Sequence, residues 1–346
     1  MRIGVIPFDP KAHLDAAAEL LAQRQRRVRR ADDRLPAAFE DRQACRRVIE
    51  AVVQRADARG VFAEADGQPA GYAFMWPFLP GPTEMPYAFF PPRTAHIGYA
   101  EQCAREDVAF DVYRAMYGAL AGEYVRRGIF DHVAYISPHD RGAHDAYVSL
   151  GFGRMLVAAM RDTTPVEPEA ADGVRVEAAG AEDAPVIMGL NRHLWEHHTT
   201  SPIFWPMLGE PLAAEDEFTR ELLQDPETNA HFVAYRDGQP LGMNTFMKPD
   251  WVSELLRDEK TVYLYQGVVA PEARGGGIGQ MLLGRGMAWA REQGYERAVL
   301  HFWAPNISGA RFWLGMGFRP IEYRMTRHID ERIAWANGVS NGAASR

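Results

Sequence analysis

The chain repeats itself, and an internal repeat narrows the available folds more than any other feature. Residues 124–136, YVRRGIFDHVAYI, lie opposite residues 290–302, AREQGYERAVLHF, with Gly128 against Gly294 at an offset of 166. At the same offset, Asp140, Tyr147, Gly151 and Phe152 answer Asn306, Trp313, Gly317 and Phe318. Upstream the offset is 171: residues 61–71, VFAEADGQPAG, answer 232–242, FVAYRDGQPLG. Both copies place Asp-Gly between apolar runs, which is a hairpin signal.

Each half therefore reads as strand, two helices, hairpin, strand, helix, strand, helix, strand. The expected fold class is α/β (α+β), two tandem domains, each a mixed, mostly antiparallel sheet flanked by helices. The length of 346 residues suits two domains. The expected boundaries are 1–162 for the first domain, 163–173 for a polar linker, 174–336 for the second domain and 337–346 for a flexible tail. The first half also carries a Pro-rich aromatic stretch, WPFLPGPTEMPYAFFPP at 76–92, expected to be an ordered loop lying against something.

Charge and cysteine usage exclude several classes. The formal net charge is −8, which disfavours nucleic acid as a partner. Two cysteines, Cys45 and Cys103, make neither a disulfide framework nor a Cys-rich zinc site. No apolar run is long enough to span a membrane, and no leader is visible, so a cytoplasmic protein is expected. The sequence allows a homodimer without specifying one.

The chemistry concentrates at 261–290. An apolar strand from Val262 to Val269 meets Pro271, then Arg274-Gly-Gly-Gly-Ile-Gly279, then an amphipathic helix. A glycine-rich turn feeding a helix N-terminus is an anion site. The dinucleotide fingerprint fails, because from Gly275 the sixth position is Gln280 and from Gly277 it is Leu282. A P-loop fails for want of a lysine after the glycines. What remains is Arg-x-x-Gly-x-Gly: Arg274, Gly277 and Gly279.

This segment resembles the acyl-CoA-binding motif of the GCN5-related N-acetyltransferase (GNAT) superfamily. Asn306, Trp313, Gly317 and Phe318 resemble its second motif. The resemblance covers about 261–325 well, extends through the second half in the order of elements, and is looser in the first. It implies acyl-CoA, most simply acetyl-CoA, as co-substrate and no metal. Arg274, Gly275, Gly276, Gly277, Ile278, Gly279 and Gln280 would hold the pyrophosphate. Val268, Val269 and Ala270 would pair with the pantetheine arm, and an N–H there would hold the thioester oxygen. Asn306 would contact pantetheine or fix the turn after its strand. Phe312 and Trp313 would pack on the cofactor or close the pocket.

An amine acceptor must lose a proton before attack. His301, five residues before Asn306, is the expected base; the alternative is a packed strand histidine. Family members commonly hold a tyrosine where Trp313 stands; here the thiolate is expected either to leave unassisted or to take its proton from Tyr265 or Tyr263. The acceptor side is expected at 191–207, with His197, His198, Phe204 and Trp205 touching substrate. In the first half Val108, Asp111 and Tyr113 replace Arg274, Gly277 and Gly279. That half is expected to build structure or pocket rather than bind CoA.

Competing features have plainer readings. His193, Glu196 and His197 spell H-x-x-E-H, but no third ligand is evident. The run Arg24, Arg26, Arg27, Arg29 and Arg30 reads as a solvated helix face. So does the acidic cluster Glu210, Glu215, Asp216 and Glu221. The resulting expectation is an acyl-CoA-dependent N-acetyltransferase acting on a small amine. The alternatives are a non-catalytic CoA-binding regulatory module and a transferase drawing on a carrier-protein thioester.

Overall fold

The computed structural model describes residues 1–166 and 171–336. The expected tail and residues 167–170 of the expected linker lie outside them. The first half runs β1 (Ile3–Pro7), α1 (Pro10–Ala31), α2 (Arg42–Val53), β2 (Arg59–Ala65), β3 (Gln68–Phe78), β4 (Thr94–Ile97), β5 (Gln102–Ala104), α3 (Ala109–Arg126), β6 (Asp131–Ile136), α4 (Arg141–Ser149) and β7 (Gly153–Asp162). The second runs β8 (Val174–Ala178), α5 (Ala184–Thr199), α6 (Gly209–Leu223), β9 (Ala230–Arg236), β10 (Gln239–Met247), β11 (Thr261–Val269), α7 (Ile278–Glu292), β12 (Arg297–Trp303), α8 (Ile307–Gly315) and β13 (Arg319–His328). The predicted order of elements is present in both. The first half splits into β4 and β5 what the second keeps as the single strand β11.

Both Asp-Gly pairs form the turns their sequence demands. Asp66 and Gly67 have φ of 49° and 76°, and Asp237 and Gly238 have 51° and 77°. Two successive left-handed residues match the twist of the flanking strands.

All strands join one mixed, mostly antiparallel sheet of order β1-β2-β3-β4-β6-β13-β7-β12-β11-β10-β9-β8, with β5 paired to β3. The order is symmetric about its centre, because the two halves exchange their last strands. β7 lies antiparallel to β12, with Ala158 opposite His301. β13 lies antiparallel to β6, with Met325 opposite Ala134. The exchange leaves no open edge between the halves. The run Val157 to Met160 is buried without alternation, as suits a strand covered on both faces.

The helices of the first half reach across this seam. Leu14 and Leu21 of α1 share one buried cluster with Tyr72 of β3, Val299 of β12 and Ile321 of β13. The arginine run on α1 departs from a fully solvated face. Arg24 is only 3 % exposed, donates Nη1 to the Gln102 carbonyl at 2.7 Å and sits 4.4 Å over the Tyr99 ring. It lies at the helix position that turns into the core, whereas Arg26 and Arg29 reach outward to Glu19 and Glu40. No helix among the described residues is long and apolar enough to cross a membrane.

Candidate active site

The glycine turn leaves β11 and enters α7. Gly275 and Gly277 adopt φ of 81° and 77°, and Gly277 caps α7 in the left-handed conformation. The N–H groups of Gln280 and Met281 return to the Gly277 carbonyl. Among the described residues, those of 275–279 find no acceptor, so a row of donors stands free at a helix N-terminus. A Cβ at position 279 would come within 3.0 Å of the Phe312 ring, so glycine there lets α8 pack closely on the turn.

Beside the turn the sheet splits. β11 and β12 pair in parallel from Thr261 opposite Arg297 to Leu264 opposite Leu300, then part company. Beyond Leu264, β11 is paired on its β10 side alone, past a register shift at Thr245 and Phe246. Ala270 N–H donates to the Leu241 carbonyl on that side at 2.8 Å. Peptide groups alternate along a strand, so Val269 faces the open edge, where its carbonyl accepts from Arg274 Nε at 3.1 Å. Trp313 covers this slot: a Cβ at Gly267 would lie 3.0 Å from its ring.

The slot opens into a cavity of about 810 Å³ whose wall is built by both halves. The aromatic stretch of the first half lies on it: Phe78, Met85, Phe89 and Phe90 line the cavity. Phe89 sits 5.6 Å from Trp195 and 5.8 Å from Trp251, ring centre to ring centre. Trp205 Nε1 donates to the Ala88 carbonyl at 2.5 Å, and its ring stacks 4.4 Å from Trp303. Trp205 therefore clamps the first-half loop from outside the cavity, while Phe204, 69 % exposed, points to solvent. His197 and His198 line the cavity.

Glu215 is the residue that sequence reasoning placed wrongly. It is fully buried rather than on a helix surface, and it lines the cavity. Its neighbours in the cluster behave differently: Glu210 and Glu221 are exposed, and Asp216 pairs with Arg192 at 2.5 Å. The signal was available, since α6 buries Pro211, Glu215, Thr219 and Leu222 at helical spacing. The Tyr265 hydroxyl donates to its carboxylate, and Gln266 Nε2 does so at 2.5 Å. Burial pushes its pKa up to about 7, against the opposing pull of Tyr265 and Asn191.

The two residues expected to move protons are held otherwise. His301 Nδ1 lies 2.9 Å from the Tyr263 hydroxyl, and burial together with Arg324 pushes its pKa down to about 3. A ring so shifted is a weak base near neutrality. Tyr265, with its hydroxyl committed to Glu215, is pushed well above its ordinary value by burial and by that carboxylate, which weakens it as an acid. His198 is likewise held neutral, its pKa lowered to about 4 by burial.

Asn306 caps α8. Its Oδ1 accepts from Gly309 N–H at 2.9 Å and lies 3.2 Å from His197 Nε2. His193 faces Glu196 at 3.7 Å, so the H-x-x-E-H residues point to different partners. No group of three His, Cys, Asp or Glu side chains among the described residues is arranged to hold a metal.

The matching place in the first half is filled by side chains. Tyr113, at the Gly279 position, is buried and donates to Asp140, the residue at the Asn306 position, at 2.9 Å. Tyr147, at the Trp313 position, donates to Gln102 at 2.6 Å.

Residues 192–318 match the model of the acetyltransferase (GNAT) family. A stretch of 158 residues is 28 % identical to mycothiol acetyltransferase of Streptomyces griseus subsp. griseus, covering 46 % of this chain and 46 % of that protein. The match thus spans about half the length of the curated relative. A GCN5-related N-acetyltransferase from Sphaerobacter thermophilus superposes with a TM-score of 0.60 at 15 % identity, over 94 % of this chain and 95 % of that one. A glucosamine N-acetyltransferase region of a fungal β-N-acetylglucosaminidase superposes with a TM-score of 0.51 at 11 % identity, over 94 % of this chain and 38 % of that one. These structures share the fold, and the family match falls on the half that carries the open slot and the glycine turn. The similarity to the acetyltransferase (GNAT) family therefore rests on residues 192–318 of the second half.

Proposed function

We propose that the protein transfers an acyl group, most simply acetyl, from acyl-CoA to the amine of a small molecule, in the second half. The observation that carries this reading is the continuity of three features. A row of free N–H groups at 275–279 leads into a strand edge open beyond Leu264, and that edge leads into a cavity holding one buried carboxylate.

The residues present suit a CoA thioester. Gly275 to Gln280 would take the pyrophosphate, and the open edge of β11 at Val268, Val269 and Ala270 would take the pantetheine amides. Phe312 and Trp313 would flank the arm. Asn244 Nδ2 and Gln266 Oε1 line the cavity without partners among the described residues, and buried polar atoms of that kind call for a ligand. Asn306 holds the turn after β12 rather than offering its side chain freely.

Glu215 takes the base role in this mechanism. An acceptor enters as an ammonium with a pKa near 10 and must lose one proton before its nitrogen can attack the thioester carbonyl. A carboxylate with a pKa of about 7 is half ionised at neutrality, and Gln266 and Tyr265 hold it in place. Glu215 takes that first proton. As the new C–N bond forms the C–S bond breaks, and the nitrogen sheds its second proton to the departing thiolate or to solvent. The first half supplies cavity wall through Phe78, Met85, Phe89 and Phe90.

The test is calorimetric titration of acetyl-CoA into the wild-type protein and into Gly279→Glu. One site per chain, lost in the variant, is expected. Binding unchanged by the variant would move the donor site elsewhere and overturn the reading.

A further inference from the structure

Arg324 lines the cavity. It comes from β13, the last strand of the second half, and reaches the cavity wall because the strand exchange seats β13 between β6 and β7. It is 4 % exposed. Its guanidinium lies 4.6 Å from the Phe90 ring and 5.1 Å from the Trp303 ring, and Nη1 donates to the Phe89 carbonyl at 3.2 Å. Nε has no hydrogen-bond partner among the described residues. Glu322 is on the same strand, but burial and the nearby Glu101 push its pKa up to about 8, so it is mostly protonated at neutrality. The remaining neighbours are Tyr135, a phenol raised to about 12, and His301, held neutral. A guanidinium buried without a counter-ion is costly, and an anion delivered by a ligand removes that cost.

We propose that Arg324 is the anchor for an anionic group, a carboxylate, on the acceptor, whose amine lies toward Glu215 and whose body is apolar or aromatic. This rests on the transferase reading above and specifies its substrate class. Guanidinium pairs with a carboxylate through two parallel N–H donors, which gives orientation as well as affinity. Phe78, Phe89, Phe90 and Trp251 line the same cavity as Glu215 and Arg324 and make its wall apolar, which suits a ring or a branched alkyl body. An amine lacking the anion would leave the guanidinium desolvated and unpaired in the closed site.

The experiment compares matched amines that differ in one carboxylate: benzylamine with 4-(aminomethyl)benzoate, phenethylamine with phenylalanine, and tryptamine with tryptophan. Each is titrated into the CoA-loaded protein and assayed with acetyl-CoA, using the wild type and Arg324→Met. At least tenfold tighter binding of the carboxylate member is expected in at least one pair, with the advantage lost in Arg324→Met and KM for acetyl-CoA unchanged. Arg324→Met also removes an unpaired buried charge, so its Tm should equal or exceed that of the wild type, which separates misfolding from lost recognition. No preference in any pair, or a preference that survives in Arg324→Met, overturns the assignment. Carboxylate-dependent binding without turnover of any amine would uphold the anion site while overturning the transferase reading.

Discussion

The Tyr265 hydroxyl lies 2.6 and 2.5 Å from the two carboxylate oxygens of Glu215. Tyr265 belongs to β11, at the point where that strand leaves β12. The pair therefore ties the cavity's carboxylate, carried on α6, to the strand that borders the open slot. A carboxylate positioned from two elements keeps its place while the slot fills.

Replacing Glu215 by Gln keeps the shape and removes the base. A fall in kcat of about 10²- to 10³-fold is expected, with KM for acetyl-CoA little changed. The wild-type rate should rise with pH through about 7 as Glu215 ionises, and the variant should lose that limb. Steady-state kinetics from pH 5.5 to 9 checks both.

Tyr265→Phe withdraws a hydrogen bond from the ionised carboxylate and so disfavours the charged form. The acidic limb should move to higher pH, by about one pH unit, with a smaller loss of maximal rate than in Glu215→Gln. A limb that stays in place would separate Tyr265 from the titration of Glu215.

His301 and Glu215 make opposing forecasts. His301 is already neutral near pH 7, its pKa lowered by burial and by Arg324. His301→Ala should therefore keep the limb near pH 7. Disappearance of that limb would return the base role to the histidine.

Stability carries a second signature of the buried carboxylates. Glu215 and Glu322 have folded pKa values raised to about 7 and 8. Their contribution is complete below the unfolded carboxylate value and is lost as pH rises through the folded ones. The buried histidines His96, His132, His198, His231 and His301 are lowered to about 3 to 4 and work in the opposite direction, but only below about pH 6.5. Tm should therefore fall between pH 7 and 8.5, and Glu322→Gln should flatten that fall. Calorimetric scans across the interval measure it.

The sequence carried the elements and the glycine turn because both rest on local chemistry. Asp66-Gly67 and Asp237-Gly238 dictate hairpins, and the glycines at 275–279 dictate a helix N-terminus with free donors. The aromatic stretch at 76–92 could be read as lying on something, because Phe89 and Phe90 would not stay in water. The exchange of β7 and β13 was not legible, since either strand could close either half and only the long-range register decides. The proton chemistry was hidden for a related reason. Glu215 looks like one more acid on a charged helix until Pro211, Thr219 and Leu222 are seen on the same buried stripe. His301 looks like a base until its burial, and then the charge of Arg324 twenty-three residues later, is counted. Arg324 itself reaches the cavity only through the exchange.

The most direct measurement is product analysis by mass spectrometry after incubating the matched amines with acetyl-CoA, in wild type and Glu215→Gln. Acetylation on the amine nitrogen, one CoA released per product, and a rate at least a hundredfold lower in the variant are expected. Absence of any N-acetylated product, or equal rates in the two proteins, would contradict an acyltransferase that works through Glu215.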